Sequence, residues 1–510
     1  MSSQNCETDV LIIGSGPIGA TYARFLVSQG KRVVMIDAGP QLSARPGWHL
    51  VNSFRYQHTP NLSVGAMYAH REVYSIPGSV NFQNPEQNPD LNMADAAAAY
   101  AVGGMFNFWS GFAPTPALME RTPLIPPDEW EPLLRIAHRL FNTHTDAFEP
   151  SAVNRAIQKV LLENGRPVKN ISVGAEKRSV NNTYELAHLV TWTGTDTVLG
   201  PLVDSPEHYM QKFTLLPEHR AEKLETKEHK VCCAVVRDLA TFETKRIHAE
   251  TFVIAAGPFS TPRLLWVSGI RPWALGRYLH EHTVADCRIR LHKKIEQMLR
   301  DDPENPARSS DVPIAWNDPS PKSGFTPSED RPWAAHLHRT GRAMTYDDWR
   351  DIDVRLTLDL KWFGMVEPIP TNRVLFSEER MDRFGMPQIT IEYRLSEEDQ
   401  DQASRMMADM KEIAQLLGDS SFIKEPKFQG PGSSFHLMGT FRMGSDRQTS
   451  VVDENSKVWE YENIYLGGLG VMPSKMASNP TLTACALAAR SVGRILGCPI
   501  ERLEEELTHS

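Results

Sequence analysis

Residues 10–37 constrain this chain most. Val10-Leu-Ile-Ile13 reads as a buried strand, and Gly14-Ser-Gly16-Pro-Ile-Gly19 follows it. A helical run comes next, then a second apolar strand, Val33-Val-Met-Ile36, that ends on Asp37. In such a unit Gly14 permits a tight turn, Gly16 lets a pyrophosphate approach the backbone, and Gly19 lets the helix pack closely on the strand. The helix N-terminus offers that pyrophosphate unpaired N–H groups and about half a positive charge. Asp37 stands 18 residues beyond Gly19, near the usual place of the acid that binds an adenosine ribose. The segment is therefore expected to bind an adenine dinucleotide, FAD or NAD.

The remaining composition bounds the partners. With 510 residues, 41% hydrophobic, the chain is long enough for more than one core. A net charge of −9 without a basic cluster argues against a nucleic-acid surface. No apolar run approaches the roughly 18 residues that a membrane span needs. The segment before the first strand lacks a charged and then apolar leader pattern, so a cytoplasmic location is expected. The cysteines Cys6, Cys232, Cys233, Cys287, Cys485 and Cys498 form neither a C-x-x-C pair nor a metal-type cluster. Reduced thiols, no metal and no disulfide-reductase chemistry are expected.

Periodicity supplies the coarse organisation. Residues 153–165 read as an amphipathic helix with Val153, Ile157, Val160, Leu161 and Leu162 on one face. Residues 300–332, rich in Pro, Asp and Ser, read as a long surface excursion. Residues 353–360 and 388–395 alternate and read as strands of an antiparallel sheet. Residues 396–417 read as a helix with acids in its first turn. A second nucleotide-domain signature comes from 231–236 and Val253-Ile-Ala-Ala256-Gly257, an apolar strand that breaks at a glycine. Asn463-Ile-Tyr-Leu-Gly467-Gly468 ends in the same way, and Pro480 opens a helix to about Leu496.

Taken together, the glycine turn, Val102-Gly-Gly-Met105, the run Gly257 to Leu265 with Ser268-Gly269, and Asn479-Pro480 resemble the glucose–methanol–choline (GMC) flavoprotein oxidoreductases. Asp359 to Pro368, Met386-Pro-Gln388 and His436-Leu-Met-Gly-Thr-Phe-Arg-Met-Gly444 are similar to the pyranose-oxidase branch of that family. The resemblance implies FAD and a fold of the α/β plus α+β class. A Rossmann-like FAD-binding domain would be assembled from residues 1–118, 231–285 and 430–510. A substrate domain on a mainly antiparallel sheet flanked by helices would take 119–230 and 286–429.

The resemblance also places the chemistry. His436 is the expected base, since a neutral imidazole suits proton transfer near neutral pH. Asn479 would donate to the developing alkoxide, although as an Asn before Pro480 it could instead only cap the helix. Gly14, Gly16, Gly19, Asp37, Gly104, Ser110, Gly257, Gly468 and Thr481 are the expected cofactor contacts, with Ser110 near flavin N5. His282 matches a family histidine, and Arg442 lies in the run after His436. Two departures stand out. Phe108 occupies the place of the histidine that bonds covalently to the flavin in pyranose oxidases, so non-covalent FAD is expected. In Ala335-His-Leu-His338-Arg339-Thr340, His336 and Thr340 replace the branch's polar sugar contacts, and His336, His338, Arg339 and Thr340 are the expected substrate residues.

The implied activity is FAD-dependent oxidation of a primary or secondary alcohol of a sugar or sugar-derived polyol, with oxygen or a quinone as acceptor. A homo-oligomer, and a specialised role such as hexose oxidation toward kojic acid in fungal secondary metabolism, are compatible with it. The alternatives are a GMC dehydrogenase of a non-sugar alcohol and a catalytically silent flavin-binding module.

Overall fold

The computed structural model describes residues 5–52, 79–81, 84–177, 190–316, 318–339, 352–382 and 384–509. Its first sheet is built on the opening motif. The strand Asn5–Ile13 lies parallel to Val33–Ile36 on one side and to Thr244–Ile254 on the other, with Ile13 opposite both Ile36 and Ile254. Val10 to Ile13 and Val33 to Ile36 are buried without alternation, as strands covered on both faces require. The helix Pro17–Ser28 packs over them and against Thr481–Leu496, whose residues 482–493 are all buried. Ile464–Leu466 adds a parallel strand beside Thr244–Ile254.

Two strands of this sheet come from residues that the sequence assigned to the substrate part. Phe213–Leu216 pairs in parallel with Val33–Ile36. His219–Lys227 forms a hairpin with Lys230–Asp238, which pairs in turn with Thr244–Ile254. In the strand His219–Lys227 only Ala221 and Leu224 are buried, three residues apart across a register shift, so the period-two signal that would assign it to a sheet is broken. Cys232 is exposed and Cys233 buried, on opposite faces of one strand, as the period of two demands.

The second sheet is antiparallel and runs Gly418–Phe428, Thr283–Leu291, Thr357–Gly364, Trp333–His338, Ser323–Phe325 and Lys169–Asn170. The helices Ala152–Glu163 and Glu397–Leu417 share its apolar core. Ser396 caps the second helix, and Ser396 and Asp399 form a reciprocal capping box. The alternating segments 353–360 and 388–395 belong to two different sheets, because Pro387–Glu392 pairs with Arg373–Met381 in a separate hairpin. Residues 300–332 are more than a surface excursion. Ile314 is buried, Asn305 Nδ2 donates to Leu299 and Pro313 carbonyls, and Ser323–Phe325 is an interior strand. In the helix at 152–163, Val153, Ile157, Val160 and Leu161 face inward while Leu162 is exposed, since it lies about 100° from Leu161 around the axis.

One carboxylate ties helix to sheet in this half. Asp409 accepts from Arg166 Nη1 at 2.7 Å and from the indole N–H groups of Trp333 and Trp362, each at 2.9 Å. Asp409→Ala would leave two buried indole donors unpaired and Arg166 with Glu412 as its remaining carboxylate partner. Each orphaned donor is expected to cost about 1–3 kcal/mol, read as a lower urea midpoint; an unchanged midpoint would contradict it.

Candidate active site

The expected cofactor residues converge on one elongated cavity. Gly14, Gly16, Asp37, Gly104, Ser110, Gly257, Gly468 and Thr481 all line it, as do His436 and Asn479. Gly19 lies behind it and acts through packing: a Cβ there would stand 2.0 Å from the Gly14 carbonyl oxygen. At Gly16 a Cβ would meet nothing within 4 Å, so the backbone there is open to a close ligand. Three helices, Pro17–Ser28, Gly257–Val267 and Thr481–Leu496, begin on the cavity wall, and none has a side-chain cap. Their free N–H groups suit the phosphates and the electron-rich ring of a dinucleotide.

Asp37, expected from the sequence to meet a ribose, also holds the glycine turn. Its carboxylate accepts from Ser15 N at 3.0 Å, Ser15 Oγ at 2.6 Å and Gly39 N at 2.8 Å. It therefore pins the glycine turn and keeps only part of its lone-pair capacity for a ligand. Burial raises its pKa, against the bonds from Ser15 and Gly39.

At the other end of the cavity the chain brings His436 and Asn479 together. Asn479 Nδ2 lies 3.4 Å from His436 Nε2. His436 Nδ1 and Asn479 Oδ1 are buried, with no hydrogen-bond partner among the described residues. Such orphaned atoms facing a cavity are what a site for a polar ligand leaves when only the protein is counted. Asn479 does not cap the helix that follows; its amide is turned toward the imidazole. Phe435, just before His436, has φ +58°, an uncommon value for a bulky residue.

The surroundings keep the imidazoles uncharged. Burial holds the His436 pKa well below 6.5, helped by His282, Lys361 and His336. His282 stands edge-on to His436 at 5.0 Å, and burial pushes its pKa down to about 3. Among the described residues no carboxylate is hydrogen-bonded to His282, His336, His338 or His436. Arg442 is engaged elsewhere: it donates to the Pro473 carbonyl and lies over the Tyr278 ring.

The expected substrate residues divide. His336 is buried on the strand Trp333–His338, against Phe112 at 4.2 Å and Phe363 at 4.9 Å. It faces a second, more polar cavity with Thr115, Asn170, Ser172 and Ser478. His338, on the same strand face, meets Phe112 at 5.9 Å. Arg339 is a correction to the sequence reading. Its guanidinium is bound to Asp318 Oδ2 and to the Asp318 and Pro319 carbonyls, so it anchors a neighbouring loop. Thr340 lies outside the described residues. Phe108 packs with Leu50 and is not among the residues lining the cofactor cavity. Sequence reasoning also missed Tyr100, which lines that cavity and bonds to Ser260 and Arg263. It lies in an apolar stretch with no periodic signal.

Comparison with known proteins shows the family. An FAD binding domain model matches residues 7–53, and GMC oxidoreductase models match 192–284 and 368–488. Pyranose 2-oxidase of Tricholoma matsutake is 34% identical, with 96% of this chain and 93% of that protein covered. The chain belongs to the GMC oxidoreductase family. C-glycoside 3-oxidase of Arthrobacter globiformis is 30% identical over 96% of this chain and 94% of its own length. Among solved structures, formate oxidase of Aspergillus oryzae shares the fold at a TM-score of 0.66, with 14% identity, 99% of this chain and 100% of that one covered. As a GMC oxidoreductase the chain is an FAD-dependent enzyme of CH–OH groups, and its open glycines, uncapped helix starts and orphaned His436 and Asn479 atoms fit FAD. No helix among the described residues is long and apolar enough to cross a membrane.

If the cradle depends on the close helix approach, Gly19→Ala is expected to purify folded but with at least severalfold less flavin absorbance per protein. Full flavin content with an unchanged circular-dichroism spectrum would show that the turn tolerates the methyl group.

Proposed function

We propose that this GMC oxidoreductase oxidises a primary or secondary alcohol of a sugar or sugar-derived polyol, with His436 as base and Asn479 as the donor to the alkoxide. The observation that carries the reading is the 3.4 Å approach of Asn479 Nδ2 to His436 Nε2 in the cavity that begins at the glycine turn. Sugar as the substrate class is supported by the pyranose and C-glycoside oxidases among the relatives, and those oxidases also favour oxygen as the acceptor. FAD, when bound, supplies the acceptor for the carbinol hydride.

The chain's own residues divide the rest of the work. The substrate hydroxyl sits beside this contact, within hydrogen-bond reach of both His436 Nε2, which takes its proton, and Asn479 Nδ2, which donates to the oxygen as charge develops. An imidazole whose pKa is depressed stays unprotonated through mildly acidic pH, but it is a weaker base. Its share is roughly 10²–10⁴ in rate, and the amide donor adds about 3 kcal/mol at the transition state. The weaker the base, the more the reaction leans on Asn479.

The test is anaerobic mixing of the flavin-loaded protein with D-glucose, D-galactose, D-xylose, sorbitol, propane-1,2-diol and benzyl alcohol. Bleaching of the flavin by at least one sugar or polyol is expected. His436→Ala and Asn479→Ala should each slow it about 10²-fold or more while retaining flavin. Bleaching by benzyl alcohol or the diol alone would favour a non-sugar alcohol dehydrogenase. No bleaching by any compound would favour a silent flavin-binding module.

We further propose that FAD is held without a covalent bond, because Phe108 has no nucleophilic atom and packs in an apolar cluster. Acid precipitation is expected to release all flavin into the supernatant; flavin retained on the pellet would overturn this.

A further inference from the structure

Two carboxylates sit behind the His436–Asn479 pair, and neither lines the cofactor cavity. Glu281 is 1% exposed and Glu120 is 2% exposed. Among the described residues, neither forms a salt bridge with a lysine or arginine. Each is satisfied instead by hydrogen bonds from a segment that carries one member of the pair.

Glu281 holds the His436 segment. Its Oε2 accepts the Gly432 N–H and its Oε1 accepts the Ser434 hydroxyl, both at 2.6 Å. The Ser434 Oγ in turn accepts the His436 backbone N–H at 3.1 Å. These bonds bracket Phe435, whose left-handed backbone persists only where the surroundings over-determine it. Burial pushes the Glu281 carboxyl up to about 7, with the Ser434 and Gly432 bonds opposing it.

Glu120 holds the Asn479 segment. Its Oε1 accepts the N–H groups of Ala477 and Ser478, each at 2.8 Å. Its Oε2 accepts the Ser478 hydroxyl and the Ala117 N–H, each at 2.7 Å. Asn479 is the next residue. Without these acceptors the buried N–H and hydroxyl groups of both segments would be left unpaired, which is costly. Loosening either strap frees one partner of a 3.4 Å contact.

We infer that Glu281 and Glu120 are positioning residues for the proposed reaction, the first acting through His436 and the second through Asn479. The inference rests on the pair named under Proposed function. A purely structural carboxylate would be equally placed to hold these loops, so the test must separate the two roles.

A pair of double-mutant cycles does so. The readout is the rate constant for anaerobic flavin bleaching by whichever sugar or polyol of the panel above bleaches the wild-type protein fastest. Glu281→Gln and Glu120→Gln, at full flavin content, are each expected to slow bleaching roughly 10–100-fold, as a displacement of about 1 Å does. In the His436→Ala background, Glu281→Gln should cost less than about twofold more, and likewise Glu120→Gln in the Asn479→Ala background. Equal slowing in both backgrounds, or none in the wild-type protein, overturns the positioning role. If His436→Ala and Asn479→Ala themselves leave bleaching intact, the reading of the pair fails instead; if no panel member bleaches the flavin, both fall. Should Glu281→Gln lose flavin, Ser434→Ala cuts the same relay and takes its place; Ser478→Ala does so for Glu120.

Discussion

Ser15 Oγ accepts the Gly103 N–H at 3.0 Å and donates to Asp37 at 2.6 Å. That hydroxyl joins three parts of the chain: the glycine turn, the end of the second strand and the Gly-Gly-Met segment. The joint is tight because glycines surround it. Gly103 has φ +98° and Gly104 φ +57°, and a Cβ on Gly104 would meet the Gly16 Cα at 3.3 Å. The close approach of the helix behind Gly14 leaves the turn no room to relax. The remaining cavity walls are placed from this corner, since Gly257 follows the strand that runs beside Asn5–Ile13 and Gly468 follows the next parallel strand.

Much of this corner was legible in the sequence because its determinants are local. Strand, turn, helix and strand follow one another within residues 10–37, and each contributes a periodic or glycine signal. The helices at 152–163, 397–417 and 481–496 were legible for the same reason. What was not legible depends on distant pairing. The edge strands at 213–227 and the separation of 357–364 from 387–392 are settled by partners far along the chain. Arg339 looked like a substrate contact from its loop, but its partner Asp318 lies across a turn that carries no motif. Ser15, between two glycines, gave no hint that it would accept from Gly103.

The active-site end follows a different electrostatic plan from the surface. Four imidazoles, His282, His336, His338 and His436, are kept neutral chiefly by burial. The carboxylates nearest the pair are turned away from it, toward backbone N–H groups. A carboxylate hydrogen-bonded to His436 would raise its pKa and favour the protonated ring, which cannot accept a proton. Glu281 and Glu120, placed behind the loops, instead use their oxygens to fix geometry and leave His436 without a carboxylate partner.

The cavity is lined by residues from Ile13 to Thr481. During synthesis the glycine turn emerges before the wall bearing Asn479 and Thr481, which comes hundreds of residues later. The parallel strand Thr244–Ile254 and its neighbour Ile464–Leu466 must also arrive before the first sheet is complete. Nascent chains can therefore fold the opening motif early, but they cannot enclose the cavity until the segment through Thr481 has been made. Completion of the cavity is thus coupled to the meeting of the glycine turn with the Asn479–Thr481 segment, hundreds of residues away in sequence.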